Sequence, residues 1–525
     1  MNRPFLITRL IPSWLAFAFA RALPVAFFVL TPFLNLPAPA VTTVAKKPME
    51  HQQASGAFAW ENAIIHIEVT SKAYNYIQPW ERSEHKVYKS GVVVEGHQII
   101  TTADGLADQT LSRLKKQGDG LFSLGRVAWI DYQANLAALT TDEKDFWTGL
   151  QPARLADPVP ITGQVRILRW RADQLENRQG EIERLTVENS VLSFVSVPAL
   201  KIDSTIPSVG YGEAVTVGDK LIGLACAQGG DAVTAVPSSF IASILQAQQA
   251  KTYTGLGYFD FTWDAADNPL CLDYLKLPGP ARGVIVKETG LKPGIVSLVH
   301  PRDVILRIDG FDIDAEGNYR DPQYKKLCLE NLSSRGKWAG MTSKLKIWRD
   351  GKEMDIVYKL PKAEYTDELV PEQLFDQDPE YVLAGGLVFV PLSEPYLRSW
   401  GPTWRQRSPF RLYYYNMDKV TPERPQRVVL SQVLPYPANI GYEGLRNTVI
   451  DEINGMKIRR ISDIPTALQS PVGGFDVFKF ESGESVREAV LDASEVDHAT
   501  LEIMAHYHIP ADHVLNAISA PMVRK

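Results

Sequence analysis

The run "DSTIPSVGYGEA", residues 203–214, carries four hydroxyls, two of them, Ser208 and Tyr211, close to glycines. Tyr211 stands between Gly210 and Gly212, and Ser208 lies three residues earlier. A hydroxyl attacks a carbonyl only when a neighbouring base takes its proton. Histidine suits that work because it titrates near working pH. A tyrosine hydroxyl titrates near pH ~10 and remains a poor nucleophile at neutrality. His66, His85 and His97 fall among early strand-like runs, and none is framed with an aspartate and a serine. His66 alternates within its run and reads as core or surface filler, whereas His97 reads as a solvated turn residue. The three cysteines, Cys226, Cys271 and Cys328, are odd in number and far apart, which excludes a disulfide framework or a zinc pattern. All three read as buried core residues. No metal and no cofactor is expected.

Many short alternating runs must position these groups. "IIHIEV" alternates as a strand does, and "GVVVEGHQIITTA" reads as two strands joined by a turn at Glu95-Gly96. "GRVAWIDYQANLAAL" and "GDKLIGLACA" continue the pattern to about residue 237. "SSFIASILQAQQA" has helical spacing, with Ser238 or Ser239 as its N-cap. A second block holds a hairpin signal at Arg349-Asp350-Gly351. Two pieces, "RDVILRIDGFDI" and "NTVIDEINGMKI", share a strand, an Asp/Asn-Gly turn and a second strand, so a third block repeats the second. Between them, residues 361–380 are acidic and carry prolines, as a linker or partly helical bridge does.

The bulk figures narrow the classes. The chain has 525 residues with 36 glycines and 35 prolines, which favours several β-rich domains. Its formal net charge of −6 argues against nucleic acid as a partner. Residues 1–40 carry Arg3, Arg9 and Arg21, two apolar runs, no acidic residue, and small residues at Ala38 and Ala40. This reads as a secretory signal cleaved after Ala40, with an uncleaved anchor as the alternative. Cleavage would take the net charge from −6 to −9 by removing three arginines. The expected location is therefore exported, periplasmic or in the cell envelope, with membrane contact only through this N-terminal segment.

These blocks resemble the HtrA/Deg protease family, and most closely its plant-type Deg branch. The strings "GGLVFVPLSEPYLRSWG", "RVVLSQVLPYPANIGYEGLRNTVIDEINGMKI" and "DHATLEIMAHYHIP" carry the resemblance. It implies a mainly β protein: a chymotrypsin-like double β-barrel followed by two PDZ-like α+β domains. The expected boundaries are a signal peptide at 1–40, a linker at 41–57, and a trypsin-like (pseudo)protease domain at 58–250. PDZ domain 1 then spans 251–362, a linker 363–380, and a PDZ-like domain 2 with a C-terminal tail 381–525.

The resemblance also assigns the catalytic positions, and the chain departs at all three. In "TTADGLAD" the general-base histidine slot holds Asp104, and in "DYQANLAAL" the orienting-aspartate slot holds Asn135. The serine slot holds Tyr211, laid without gaps, and an Asp104–Tyr211 hydrogen bond across the cleft is one expected structural relic. Losing nucleophile and base together costs about a millionfold in turnover in a well-studied serine protease. Val209 and Glu213 replace glycines around the oxyanion hole, and Glu213 brings an anion of the wrong sign. Only Ser208 offers a shifted nucleophile, at the cost of breaking the gap-free match. The implied function is a non-catalytic chaperone, scaffold or regulator, the alternative being an active HtrA-type serine endopeptidase with non-standard groups. "GLGYF" is similar to the carboxylate-binding loop of PDZ domains, so Leu256, Gly257, Tyr258 and Phe259 are the candidate peptide-binding residues. The implied partners are peptides or unfolded protein C-termini, and a trimer-based homo-oligomer. The aromatic insertion "SWGPTWRQRSPFRLYYYNMDKV" is expected to be buried, either as local core or as a contact surface.

Overall fold

The computed structural model describes residues 58–516, apart from 119, 172–173, 291–295 and 485. The architecture is mainly β. Six strands close the first barrel: β1 (Ile64–Tyr74), β2 (Arg82–Val94), β3 (Gln98–Thr101), β4 (Gln109–Lys115), β5 (Ser123–Asp131) and β6 (Leu136–Thr140). Antiparallel pairing of β1 with β4 completes the ring. The β2–β3 turn falls where Glu95-Gly96 predicts it, with Gly96 at φ 82° and His97 at φ 56°. His97 is an exposed turn residue, as expected, and its ring also stacks on Trp147 at 4.9 Å.

Seven strands build the second barrel: β7 (Arg154–Leu155), β8 (Gly163–Arg171), β9 (Gln174–Asn189), β10 (Ser196–Asp203), β11 (Ala214–Val217), β12 (Lys220–Gly229) and β13 (Ala232–Pro237). Strand β11 pairs with both β8 and β12 and so closes this ring, while β7 joins β12 in parallel. Inward-facing residues such as Ile167, Leu200, Val215 and Ile222 fill the core, as strand alternation requires. Helix α1 (Ser238–Gln249) follows. Neither serine caps it: the N-cap is Pro237, and the Ser238 hydroxyl is spent on the Ala156 carbonyl at 2.5 Å.

Beyond α1, the strands Phe261–Ala265, Val284–Thr289, Val304–Ile308, Thr342–Arg349 and Lys352–Lys359 form one sheet in that order. Its last hairpin turns at Asp350 (φ 49°) and Gly351 (φ 81°), the left-handed pair a two-residue turn demands. A further sheet, built on Tyr381–Ala384, Leu387–Pro391, Val428–Val433, Thr448–Ile453, Phe475–Phe480 and Glu488–Asp492, is covered by the helix Ala493–Tyr507. That helix is N-capped by the Asp492 side chain. The echoed turns match in detail, Asp309-Gly310 at φ 51° and 88°, Asn454-Gly455 at 52° and 83°. Asp309 does more than turn the chain, because its carboxylate also binds Lys337 Nζ at 2.5 Å and the Lys344 N–H at 2.9 Å.

Two further expectations are corrected. Only Cys226 is fully buried, whereas Cys271 and Cys328 are half-buried near element ends. In the aromatic insertion Trp404 and Tyr415 are buried, but Phe410 and Tyr414 are 77% and 53% exposed. A one-turn helix, Phe410–Tyr414, buries Leu412 and leaves its opposite face outside. The segment 361–380 is no free linker. It contains one short 3₁₀ turn, Tyr365–Asp367, and lies against the first barrel. Phe375 stacks on Tyr132 at 4.1 Å, Asp376 accepts from Tyr132 Oη and the Asp108 N–H, and Asp378 accepts from Tyr74 Oη and Arg82. The signal segment 1–40 lies outside the described residues.

Candidate functional site

The loop 203–214 runs between the barrels. The Ser90 N–H of β2 donates to the Tyr211 carbonyl at 3.0 Å, and the Gly212 N–H donates to Ala225 O at 2.9 Å. Gly212, at φ 86°, has no room for a side chain, since a Cβ would strike the Thr101 hydroxyl and the Ser90 carbonyl. The loop is thus pinned from both barrels, and a cleft of 310 Å³ opens beside it.

Asp104, Asn135 and Tyr211 do meet here, but not as the sequence pairs them. Asn135 Oδ1 accepts the Asp104 N–H at 3.0 Å, a backbone contact rather than an orienting bond to a base. Its Nδ2 is buried with no hydrogen-bond partner. Asp104 and Tyr211 form no hydrogen bond, because Lys89 stands between them. Lys89 Nζ donates to Asp104 Oδ1 (3.2 Å), Asp104 O (2.6 Å) and Thr102 Oγ1 (2.9 Å), and lies 5.3 Å from the Tyr211 ring centroid. These three contacts tie the Lys89 amine to Thr102 and Asp104. Its side chain is wholly buried, and burial pulls its pKa down while Asp104 and Glu213 oppose that. The hydrogen bonds of Lys89 run to Thr102 and Asp104, and none among the described residues runs to the Tyr211 hydroxyl.

The backbone donors around Tyr211 are also engaged. Glu213 Oε2 accepts the N–H groups of Gly210 (2.9 Å) and Tyr211 (2.8 Å), while Gln228 Oε1 accepts that of Val209 (2.9 Å). An internal carboxylate therefore occupies the donors that an oxyanion would need. Burial raises the pKa of Glu213, with the two N–H groups and Lys89 acting against it. Burial likewise raises that of Tyr211, with Asp104 and Glu213 adding to it. Ser208 adopts φ 54° and turns its carbonyl to Arg169 Nη1 at 2.7 Å. His66 stacks on Tyr88 at 5.7 Å at the edge of the cleft, and His85 is exposed on β2.

Sequence reasoning missed Lys89 and Gln228. The signal for Lys89 was a lysine directly before the apolar run "SGVVV", a position where a strand is already entering the core. Gln228 carried no comparable signal, as its role depends on the bend at 208–210.

At the other candidate site, the loop Gly255–Phe259 is packed rather than open. Leu256, Tyr258 and Phe259 are buried, and Gly257 bridges to Lys362. The Tyr258 N–H donates to Pro361 O at 3.3 Å. The hairpin β9–β10 covers this region: Phe194 meets Tyr258 edge-on at 5.2 Å, and Leu185 and Val187 pack on the cluster containing Phe259, Phe261 and Leu332. The strand Phe261–Ala265 keeps one edge unpaired in its sheet.

The PDZ domain family PDZ_3 matches residues 370–515. The chain is 25% identical over 463 residues to Protease Do-like 2, chloroplastic, of Arabidopsis thaliana, covering 86% of this chain and 74% of that protein. It is 24% identical over 481 residues to Protease Do-like 4, mitochondrial, of the same plant, covering 89% and 88%. Among solved structures, the HtrA-type protease AlgW with decapeptide matches with a TM-score of 0.43 at 17% identity, over 58% of this chain and 96% of that one. The chain is thus similar over most of its length to plant Do-like proteases of the HtrA/Deg type and carries a PDZ domain at 370–515.

Proposed function

We propose that this chain is a non-catalytic member of its family, an exported chaperone, scaffold or regulator that binds peptide ends through its PDZ-like modules and assembles as trimers. One observation carries the loss of catalysis: the buried Lys89 ammonium on Asp104, together with the Glu213 carboxylate on the Gly210 and Tyr211 N–H groups. Base, nucleophile and oxyanion donors are each replaced or occupied. Purified full-length protein should neither digest casein nor react with a serine-directed fluorophosphonate. Labelling at any serine would instead favour the active endopeptidase.

The covered Gly255–Phe259 loop supports a gated form of peptide binding, in which the β9–β10 hairpin must lift before a chain end can add to the strand Phe261–Ala265. Phe194→Ala removes the edge-on contact with Tyr258 and should tighten binding of C-terminal peptides several-fold by calorimetry. Unchanged affinity would argue against gating by this hairpin, and no binding at all would argue against the loop. Export rests on residues 1–40 alone, and N-terminal sequencing of secreted protein should begin at Val41.

A further inference from the structure

The cleft beside Tyr211 has a marked imbalance between donors and acceptors. Arg169 is more than nine-tenths buried. Its Nε is spent on Glu176 at 2.8 Å and its Nη1 on Ser208 O at 2.7 Å. Its Nη2 has no partner among the described residues, although Arg169 lines the cleft. Arg171, two residues on along β8, also lines the cleft and forms no ion pair among the described residues. The hydroxyls of Ser90, Ser208 and Tyr211 face the same space with no hydrogen bond among the described residues.

Acceptors are scarce by contrast. Glu213 is the one carboxylate lining the cleft, and its Oε2 already takes two N–H groups. Among the charged groups at and behind the cleft, Lys89 is matched by Asp104, while Arg169 and Arg178 share Glu176. Among the described residues, setting Glu213 against Arg171 still leaves one cation in excess. Tyr88, Trp170 and Pro207 add apolar wall, and 310 Å³ is the space of about ten water molecules at ~30 Å³ each.

We infer that this cleft binds an oxyanion, a carboxylate or a phosphate, carried on a small apolar body, and that Arg171 and Arg169 Nη2 are its principal donors. Guanidinium groups suit such planar or tetrahedral oxygens, and charge-assisted hydrogen bonds are the strong ones. The inference does not depend on the PDZ-like loop.

Calorimetry on the full-length protein tests it with three probes: inorganic phosphate, N-acetylphenylalanine and N-acetylphenylalaninamide. The acid should bind about tenfold or more tightly than the amide, and binding should weaken with salt. Arg171→Ala should weaken acid binding about tenfold, and Arg171→Glu should abolish it, both with unchanged melting temperature, since Arg171 is exposed. Phosphate binding without acid binding would assign the site to phosphate esters, and acid without phosphate to carboxylates. Equal binding of acid and amide, indifference to Arg171→Glu, or no binding of either anion at millimolar concentration would overturn the inference. Phe194→Ala, which alters the distant loop, should leave all three titrations unchanged, so failure at either site is recognised separately.

Discussion

At the residue scale, the cleft shows how buried charge is paired beside Tyr211. Burying an ammonium is costly unless it is paired and fully hydrogen-bonded, and Lys89 meets both conditions through Asp104 and Thr102. Lys89→Met should therefore destabilise the fold by about 3 kcal/mol in urea titration, because Asp104 is left buried without its partner. The same change paired with Asp104→Leu should recover much of that loss. Restoring the three catalytic positions by Asp104→His, Asn135→Asp and Tyr211→Ser should still give no fluorophosphonate labelling while Lys89 and Glu213 remain. Their side chains hold the base position and the N–H donors. That the three slots hold Asp104, Asn135 and Tyr211 is an expectation the sequence carries alone, since it needs only three residue types at three positions. The occupants were not legible there, because Lys89 and Glu213 act across strands that sequence order keeps far apart.

At the element scale, the segment 361–380 behaves as a strap. Asp108, Asp376 and Asp378 come together where it meets the first barrel. Burial, then the Asp376 charge, pushes the Asp108 carboxyl up to about 6. The folded state keeps a proton there that the unfolded chain has already released. Stability from this group is therefore full below pH ~4, declines as pH rises through about 6, and stays reduced above it. Asp108→Asn keeps the backbone N–H that Asp376 accepts. It should stabilise the protein by about 1 kcal/mol at pH 7, after discounting for solvent, and by nothing at pH ~4. Melting temperatures at the two pH values check this. Removing Asp376 and Asp378 together by alanine should instead free the strap and expose it to limited proteolysis between 361 and 380. Strands and tight turns were readable because alternation and Asp/Asn-Gly pairs act locally, as Asp350-Gly351 and Asn454-Gly455 show. The strap was not, since two aspartates in a proline-bearing stretch look the same whether solvated or docked.

At the scale of the whole molecule, the second barrel and the block 251–362 share apolar surface. Leu185 and Val187 are half-buried against the core of that block, so each contributes only part of the about 1.5–3 kcal/mol that a fully buried side chain of this size is worth. Leu185→Asp should lower the melting temperature and raise hydrogen exchange in the strand Phe261–Ala265, since it loosens the block from the hairpin. Composition and spacing suggested separate modules in a row. The contact between them depends on how a sixteen-residue strand, β9, reaches out of its own barrel, which periodicity alone does not disclose.

Gly212 carries a last consequence. The neighbouring phenol is nearly half exposed, whereas the backbone after it is wedged against Thr101 and Ser90. In a saturation-mutagenesis survey scored by soluble yield, position 211 should accept almost every amino acid and position 212 almost none. Selection on architecture alone would keep a protease's outline sharp long after the occupant of its central position had ceased to matter.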